Sequence, residues 1–274
     1  MSVLEAIILG ITQGLTEFLP VSSTAHLRIV PAFAGWEDPG AAFTAVVQLG
    51  TMAAVLVYFR TDLVRIAHAW LRSLRDREAR RDLDARLGWY ILIGTIPIGI
   101  FGLIFKDQIE NGARDLYLIG SALIVLGLVL LAAERVAKHD RPIEEITTRD
   151  GVVIGLAQAL ALVPGVSRSG STLTAGLFLG FDRPSAARFS FLLSVPAVVL
   201  SGLFELASIL AEGKDTQVGL GALAVSTFLA FVVGYASIAF LLRDLAHHST
   251  IVFVVYRVAL GAIVLVLAGT HVIA

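Results

Sequence analysis

Six apolar stretches, each long enough to cross a lipid bilayer, constrain the fold of this chain more than any other feature. A membrane-spanning helix needs roughly 17–25 residues, and hydropathy places the six stretches at 41–58, 88–105, 116–134, 184–210, 218–241 and 250–271. Hydrophobic residues make up 57% of the 274 residues and charged residues 16%, against about 45–50% and about 25% in soluble domains. The sequence therefore predicts an all-α integral membrane protein with the bilayer as its partner, and it excludes a disordered chain or a nucleic-acid binder.

Two further apolar stretches, 3–34 and 151–180, are each interrupted by a polar break. The first break has the sequence PVSSTAH and the second PGVSRSGST. Each half of either stretch is too short to span the membrane, so we predict two re-entrant helical hairpins. Irregular backbone is tolerated at membrane depth only where protein or a water-filled cavity covers it. The two breaks should therefore face each other inside the protein.

Parts of the sequence recur after about 145 residues. The run GITQGL matches a later run, GLAQAL, and in both copies a serine follows the glutamine by nine residues. A third match, offset by 144 residues, joins an aspartate with the run AAF to an aspartate with the run AARF. The residues of the three matches are Gln13 with Gln158, Ser22 with Ser167, and Asp38 with Asp182. Three matches in register favour a repeat over a coincidence between Leu-, Ala- and Gly-rich segments.

The repeat divides one membrane domain into two halves, 1–135 and 150–274. Each half would hold one hairpin and three spans, and an odd number of spans places the two copies in opposite orientations. We therefore predict six transmembrane helices plus two re-entrant helical hairpins in an inverted-topology repeat. In such repeats the site lies near the midplane, where the broken helices meet.

Charged loops orient the chain in the membrane. The segments 60–86 and 135–150 carry twelve Lys and Arg, and Arg183 and Arg243 lie in the next two loops on the same side. The opposite loops carry three, Lys106, Arg114 and Lys214. The excess of fourteen over three predicts that the basic loops are cytoplasmic and that both termini lie on the outer face. The arginine-rich segment 60–86 is then most simply a cytoplasmic loop that contacts anionic lipid headgroups.

Ionisable side chains inside apolar segments are costly and mark candidate functional residues. Three of them, Glu17, His26 and Arg168, lie at the polar breaks and are the residues to explain. One other, Glu205, would line either the cavity or its outer rim. The remaining four lie near predicted segment ends, which favours interfacial anchoring; they are Glu5, Arg28, Arg188 and Arg257.

The first break combines hydroxyl, carboxyl and imidazole groups. Gln13 and Glu17 are four residues apart and share one helix face, and the hydroxyls of Ser22, Ser23 and Thr24 follow Pro20. Ser22 or Ser23 would also make a good N-cap. Ser23 and His26 are three apart, so a helical start would bring hydroxyl and imidazole together as a minimal nucleophile with its base. The alternative is a buried histidine that is only hydrogen-bonded.

The second break is typical of an anion site. Arg168 lies between two serines, with one glycine of the break before it and one after it, ahead of a helix start. Backbone N–H groups at such a start bind anions, and guanidinium suits phosphate. Ser167, Ser169 and Thr172 would add donors. Simple pairing of Arg168 with Glu17 is the structural alternative. Nucleophile and acid–base groups opposite a phosphate clamp favour chemistry, because anion binding alone does not need them.

The paired motifs resemble those of a known family. EFLPVSSTAH, preceded by Gln13, and PGVSRSGST are similar to the motifs of the bacitracin-resistance-type undecaprenyl-diphosphate phosphatases, and the similarity extends to motif separation, chain length and repeat. The resemblance implies a multi-pass protein of the bacterial inner membrane. It also implies removal of the terminal phosphate from a polyprenyl diphosphate, which regenerates the monophosphate lipid that exports cell-wall sugars.

The resemblance assigns candidate site residues. The family's acidic motif falls on Gln13 and Glu17, and its serine and histidine fall on Ser23 and His26. The family needs a divalent cation, Mg²⁺ or Ca²⁺, for which Glu17 and Gln13 are candidate ligands, although glutamine at 13 leaves one carboxylate fewer. Ala25 stands where the family has glycine. The family's arginine motif falls on Ser167, Arg168, Ser169 and Thr172.

These observations lead to a catalytic hypothesis. Ser23 attacks the terminal phosphorus, Glu17 acts as general base or metal ligand, Arg168 holds the phosphate, and His26 moves the proton or orients Ser23. In a rival assignment His26 itself attacks. The expected substrate-binding residues are Gln13, Ser22, Thr24, Ser167, Ser169 and Thr172.

The sequence leaves an alternative function open. A carrier or flippase for an anionic lipid or phosphate compound is the alternative function, because inverted repeats with paired broken helices are usual in secondary transporters. The family resemblance implies a site that opens to the outer, periplasmic face. The sequence leaves the oligomeric state open.

Overall fold

The structure is a computed structural model that describes residues 1–105, 115–212 and 219–273, with side chains except at 41, 201 and 203–212. Glu205, Lys106, Arg114 and Lys214, which were singled out above, lie outside the described side chains. The described part contains eleven α-helices: α1 Val3–Phe18, α2 Ser23–Ala34, α3 Gly40–Tyr58, α4 Arg60–Ser73, α5 Leu83–Ile104, α6 Leu116–Val136, α7 Thr148–Ala159, α8 Arg168–Phe178, α9 Arg183–Glu212, α10 Leu220–Leu245 and α11 Ile251–Gly269.

Several of these helices are suited to cross a membrane. Within the described residues, α5, α6, α10 and α11 are long and apolar enough to span, and α3 with α4 makes a fifth candidate that is bent by 71°. The predicted stretch 184–210 falls within one continuous helix of 30 residues, α9. The chain is therefore an all-α, multi-pass membrane protein, as predicted.

The segment 60–86 is more ordered than predicted. We expected a loop, but residues 60–73 form α4 and residues from 83 onward belong to α5. The reason is an apolar pattern at helical spacing hidden among the arginines: Ile66 is buried, and Trp70 packs so closely on Gly88 of α5 that a Cβ there would lie 2.8 Å from the Trp70 Cβ. Most of this segment is therefore helical, and its role as a cytoplasmic connection that contacts lipid headgroups stays a prediction.

The helices that precede the two polar breaks, α1 and α7, begin in the same way. Ser2 forms a capping box with Glu5 at the start of α1, and Thr147 forms one with Asp150 at the start of α7, 145 residues later. A capping box satisfies N–H groups that have no partner in the first helical turn. The sequence matches between the halves are therefore accompanied by matching local structure.

The first helix of each half also packs in the same way. α1 packs against α10, and α7 packs against α5. A Cβ at Gly10 would lie 2.5 Å from the carbonyl oxygen of Ser226, and a Cβ at Gly155, again 145 residues later, would lie 2.4 Å from that of Gly94. Only glycine permits such close backbone approach. This packing therefore holds α1 closely against α10 and α7 closely against α5.

Candidate active site

The Glu17 carboxylate, in the last turn of α1, joins the two polar breaks. Its Oε1 accepts a hydrogen bond from Nη2 of Arg168 at 2.5 Å. Its Oε2 accepts from the Ser23 hydroxyl at 2.6 Å and from Nε2 of Gln13 at 3.0 Å. The expectations that the breaks face each other and that Gln13 and Glu17 share a face are thus confirmed. The pairing of Arg168 with Glu17, which was the structural alternative for these two charges, is also formed.

The ion pair between Glu17 and Arg168 is largely buried. The side chain of Glu17 is 7% exposed and that of Arg168 is 14% exposed. Removing one partner would leave a buried charge without compensation, which is strongly unfavourable. A phosphate group that bound Arg168 would supply the compensation that Glu17 provides here, and it would release the carboxylate.

The three hydroxyls of the first break have different surroundings. Ser22 is the N-cap of α2 and its Oγ accepts from the backbone N–H of Ala25, while it also lies 3.2 Å from Oγ1 of Thr24. Ser23 is the first helical residue, and its hydroxyl donates to Glu17. Ser23 is therefore the hydroxyl with an adjacent proton acceptor, whereas Ser22 maintains the turn.

The expected contact between Ser23 and His26 is not formed. Nδ1 of His26 lies 2.7 Å from the carbonyl oxygen of Ser22, and Nε2 lies 2.6 Å from the hydroxyl of Tyr256 on α11. The imidazole reaches back to the carbonyl four residues earlier instead of to the side chain three residues earlier. That prediction was wrong, and Glu17 occupies the position beside Ser23 that we assigned to His26.

The second break mirrors the first at its cap. Ser167 is the N-cap of α8 and its Oγ accepts from the backbone N–H of Gly170 at 3.1 Å. Ser22 and Ser167 are non-glycine residues with positive φ, 73° and 51°. The hydroxyl of Ser169 donates across the site to the carbonyl oxygen of Leu19 at 3.0 Å. The start of α8 therefore lies against the first break, with its first-turn N–H groups beside Arg168.

Thr172 lies deeper than we expected. Its side chain is fully buried, and its hydroxyl donates to the carbonyl oxygen of Arg168 at 2.8 Å and lies 2.5 Å from Oγ of Ser190 on α9. These bonds support the turn that carries Arg168. Because these bonds engage the buried hydroxyl, the geometry favours a supporting position for Thr172 over a substrate contact.

A buried arginine that we assigned to the membrane interface holds both breaks in place. Arg257 of α11 is 0% exposed, and its guanidinium donates to the carbonyl oxygens of Pro20 at 3.2 Å and Gly165 at 3.3 Å. It donates further to Leu123 and Ala122 of α6. The expectation of interfacial anchoring for Arg257 was therefore wrong. Its carbonyl partners are distant in sequence, so hydropathy alone could not reveal them.

The other three ionisable residues near segment ends have partners outside the site. Glu5 accepts from the backbone N–H of Ser2. Arg28 pairs with Asp38 at 3.4 Å, and Arg188 pairs with Asp62 of α4 at 2.8 Å. None of these contacts reaches Glu17, so they stabilise helix ends and connections.

A divalent cation would find few protein ligands here. Among the residues that the structure describes, no group of three or more Asp, Glu, His or Cys side chains could hold a metal. However, Oε1 of Gln13 is buried without a hydrogen-bond partner, and its amide lies beside the Glu17 carboxylate. Mg²⁺ is commonly bound by one or two carboxylates together with substrate phosphates and water. The residues therefore fit a cation that binds together with a phosphate ligand.

Comparison with known proteins identifies the family. Residues 6–263 match the family model described as bacitracin resistance protein BacA. The chain is 57% identical to the undecaprenyl-diphosphatase of Myxococcus xanthus (strain DK1622) over 270 residues, which cover 98% of this chain and 90% of that protein. It is 56% identical to the undecaprenyl-diphosphatase of Nocardioides sp. (strain ATCC BAA-499 / JS614) over 271 residues, 99% of this chain and 98% of that protein.

A third relative is similar over the full length. The undecaprenyl-diphosphatase of Mycobacterium sp. (strain KMS) is 55% identical over 275 residues, which cover 100% of this chain and 99% of that protein. The family model spans both polar breaks and the helices between them. The chain belongs to the bacitracin resistance protein BacA family.

Proposed function

We propose that this protein hydrolyses undecaprenyl diphosphate to undecaprenyl monophosphate and inorganic phosphate, and so recycles the lipid carrier of cell-wall synthesis. The names of its relatives support this substrate. The observation that carries the proposal is the direct contact of a serine hydroxyl, a carboxylate and a guanidinium between the two breaks. These are a nucleophile, a proton acceptor and a phosphate ligand within one hydrogen-bonded group.

The first step begins when the terminal phosphate reaches Arg168. The guanidinium exchanges Glu17 for phosphate oxygens, and Glu17 is then free to accept the Ser23 proton. The Ser23 oxygen attacks the terminal phosphorus, the bond to the bridging oxygen breaks, and polyprenyl monophosphate leaves. Arg168 and the N–H groups at the start of α8 stabilise the charge on the transferred group.

The second step releases the phosphate from Ser23. Glu17 passes the first proton to the oxygen of the departing monophosphate and then takes a proton from water, which attacks the phosphoserine phosphorus. The bond from phosphorus to the Ser23 oxygen breaks, and Glu17 returns the proton to that oxygen. The geometry supports Ser23 over His26 as nucleophile, because the Ser23 hydroxyl donates to a carboxylate whereas both nitrogens of His26 are already bonded.

A cation, Mg²⁺ or Ca²⁺, belongs to the same proposal. Oε1 of Gln13 and the carboxylate of Glu17 are the protein oxygens that would hold it. When bound, it would neutralise charge on the diphosphate oxygens. The unpaired Oε1 of Gln13 supports this assignment.

The prenyl tail needs an apolar surface beside the site. A groove of about 610 Å³ between α3 and α10 is lined by apolar side chains including Val46, Leu49, Phe228 and Phe231, together with Gly50. Gly50 precedes Thr51, whose hydroxyl accepts from Gln13 at 3.3 Å. This continuity supports the groove as the place where the tail leaves the site for the bilayer.

The finer architecture is part of the proposal. The halves 1–135 and 150–274 form an inverted-topology repeat with six spans and two re-entrant hairpins, α1–α2 and α7–α8. The matching caps and glycine packing, each repeated after 145 residues, support it. The protein would lie in the bacterial inner membrane with the site open to the periplasmic face.

The test is phosphate release from undecaprenyl diphosphate by detergent-purified protein. We expect turnover by the wild type, loss in Ser23→Ala and Arg168→Ala, and loss in EDTA that Mg²⁺ or Ca²⁺ restores. Ser194→Ala is the matched control, since that buried hydroxyl donates only within its own helix, to Phe191. Absence of turnover with either cation, from protein that still binds the lipid, would favour a carrier.

A further inference from the structure

A chain of hydrogen bonds leads from Tyr256 on α11 through His26 to the backbone of Ser22. The phenol oxygen of Tyr256 lies 2.6 Å from Nε2 of His26, and Nδ1 of His26 lies 2.7 Å from the carbonyl oxygen of Ser22. The two rings are nearly parallel, with an interplanar angle of 6° and 5.6 Å between centroids. The chain ends one residue before Ser23.

The partners of His26 determine which nitrogen carries the hydrogen. A carbonyl oxygen can only accept, so Nδ1 is the protonated nitrogen. In the neutral ring Nε2 then has the lone pair, and the phenol donates to it. The Tyr256 hydroxyl therefore fixes both the tautomer and the orientation of an imidazole that is only 6% exposed.

The group at the end of this chain has an unusual backbone conformation. Ser22 has φ 73° and ψ 98°, a region that residues with a Cβ rarely adopt and keep only when their surroundings hold them there. Its carbonyl oxygen accepts from His26 twice, from Nδ1 at 2.7 Å and from the backbone N–H at 3.3 Å. A rotation of this peptide would move Ser23 away from Glu17.

We propose that Tyr256 is a positioning residue for the phosphatase reaction. It holds His26 in the Nδ1-protonated form, and His26 holds the Ser22 turn that directs the Ser23 hydroxyl to Glu17 and the phosphate. The inference rests on the proposed function. In this scheme His26 does not attack the phosphorus and does not accept the Ser23 proton, because that proton passes to Glu17.

Asparagine and glutamine can separate the roles of the two ring nitrogens. The amide nitrogen of asparagine can take the place of Nδ1 and donate to Ser22, whereas that of glutamine extends toward the position of Nε2. With undecaprenyl diphosphate in detergent micelles, we expect His26→Asn to keep most of the wild-type kcat. His26→Gln should lose as much activity as His26→Ala.

The effect of Tyr256 should act only through His26. Loss of one hydrogen bond predicts that Tyr256→Phe lowers kcat roughly fivefold to twentyfold with unchanged KM. In the His26→Asn background the same change should have no further effect, since the two residues then no longer contact each other. Tyr235→Phe is the matched control, because Tyr235 is similarly exposed, 39% against 46% for Tyr256.

Three results would overturn the inference. The first is a Tyr256→Phe enzyme with wild-type kcat, and the second is one in which only KM rises, which would indicate a substrate contact. The third is a His26→Asn enzyme as inactive as His26→Ala, which would return His26 to the chemistry even if Tyr256→Phe did not fold. Wild-type turnover, absent in Ser23→Ala, shows that the proposed function itself holds, so the two failures are distinguishable.

Discussion

Oε1 of Glu17 lies 2.5 Å from Nη2 of Arg168, and this ion pair connects residues that are 151 positions apart in the chain. Both partners belong to the polar breaks, and the same carboxylate accepts the hydroxyl of Ser23. The candidate base is thus held by the candidate phosphate ligand until a phosphate competes for it. In the proposed mechanism this exchange couples substrate binding to activation of the nucleophile, and kinetics can then separate the roles of the two charged residues.

Glu17→Gln should lower kcat and KM together. The amide keeps the size of the side chain but cannot accept the Ser23 proton, so we expect kcat to fall roughly 10²- to 10⁴-fold. Without its carboxylate partner, Arg168 has only the phosphate to compensate its charge, so the diphosphate should bind more tightly. Steady-state kinetics, with inorganic phosphate as product inhibitor, measures both effects. With Mg²⁺ or Ca²⁺ at a saturating concentration, so that the loss of a cation ligand does not weaken substrate binding, a raised KM would contradict the exchange.

Arg168→Lys should retain binding better than catalysis. Lysine keeps the charge but lacks the planar fork that contacts two phosphate oxygens, so we expect kcat to fall at least tenfold, an effect typical of lost charge-assisted hydrogen bonds. Arg72→Lys, an exposed arginine of α4, is the matched control and should behave as wild type. Equal kcat in Arg168→Lys and the wild type would show that position 168 acts only as a point charge.

The sequence was most informative where a helix is interrupted. The breaks at Pro20 and Pro164 are visible as polar runs inside apolar segments, so the contact between Glu17 and Arg168 could be predicted before the fold was known. The contacts of Tyr256 and Arg257 could not be predicted, because α11 is uninterrupted and their partners come from another helix and from the breaks themselves. The spacing of Ser23 and His26 led to a wrong prediction, because the His26 side chain bonds a backbone carbonyl near the start of the helix instead of the Ser23 hydroxyl.

Arg257→Gln should destabilise the protein more than any exposed arginine change. Its guanidinium satisfies carbonyl oxygens of Pro20 and Gly165 in both breaks, and each buried acceptor left without a partner costs about 1–3 kcal/mol. Thermal unfolding in detergent, beside exposed Arg72→Gln, measures the loss. Gly170→Ala should reproduce part of it, because the new Cβ would lie 2.7 Å from Nη1 of Arg257. An unchanged unfolding temperature in both variants would show that the hydrogen bonds of Arg257 to the two breaks do not stabilise the protein.

We expect the N-terminal cap of α7 to make the free energy of unfolding depend on pH. Burial raises the pKa of Asp150, but hydrogen bonds from Arg141 and Thr147 outweigh it and hold the pKa below its ordinary value, about 3.9 in the unfolded chain. A lowered folded-state pKa contributes stability that is complete above about pH 4 and is lost as the pH falls further.

Comparison with a variant isolates that contribution. The unfolding temperature of Asp150→Asn in detergent should lie below that of the wild type at pH 7, and the gap should narrow toward pH 3. Asp140→Asn, at an exposed position, should show no gap at either pH. A gap for Asp150→Asn that stays constant with pH would mean that the carboxylate charge does not stabilise the cap.

The inverted repeat predicts that equivalent positions of the two halves lie on opposite sides of the membrane. Val3 and Thr148 are both exposed first residues of helices, α1 and α7, and they are 145 positions apart. The chain contains no cysteine, so Val3→Cys and Thr148→Cys each introduce a single thiol.

In intact cells with a permeabilised outer membrane, an impermeant maleimide should label Val3→Cys directly and Thr148→Cys only after the inner membrane is disrupted. This follows because the positive-inside rule predicts that the basic segment 135–150, which leads into α7, lies in the cytoplasm. Labelling of both thiols from outside would rule out the inversion, since a repeat with parallel halves places equivalent positions on one side.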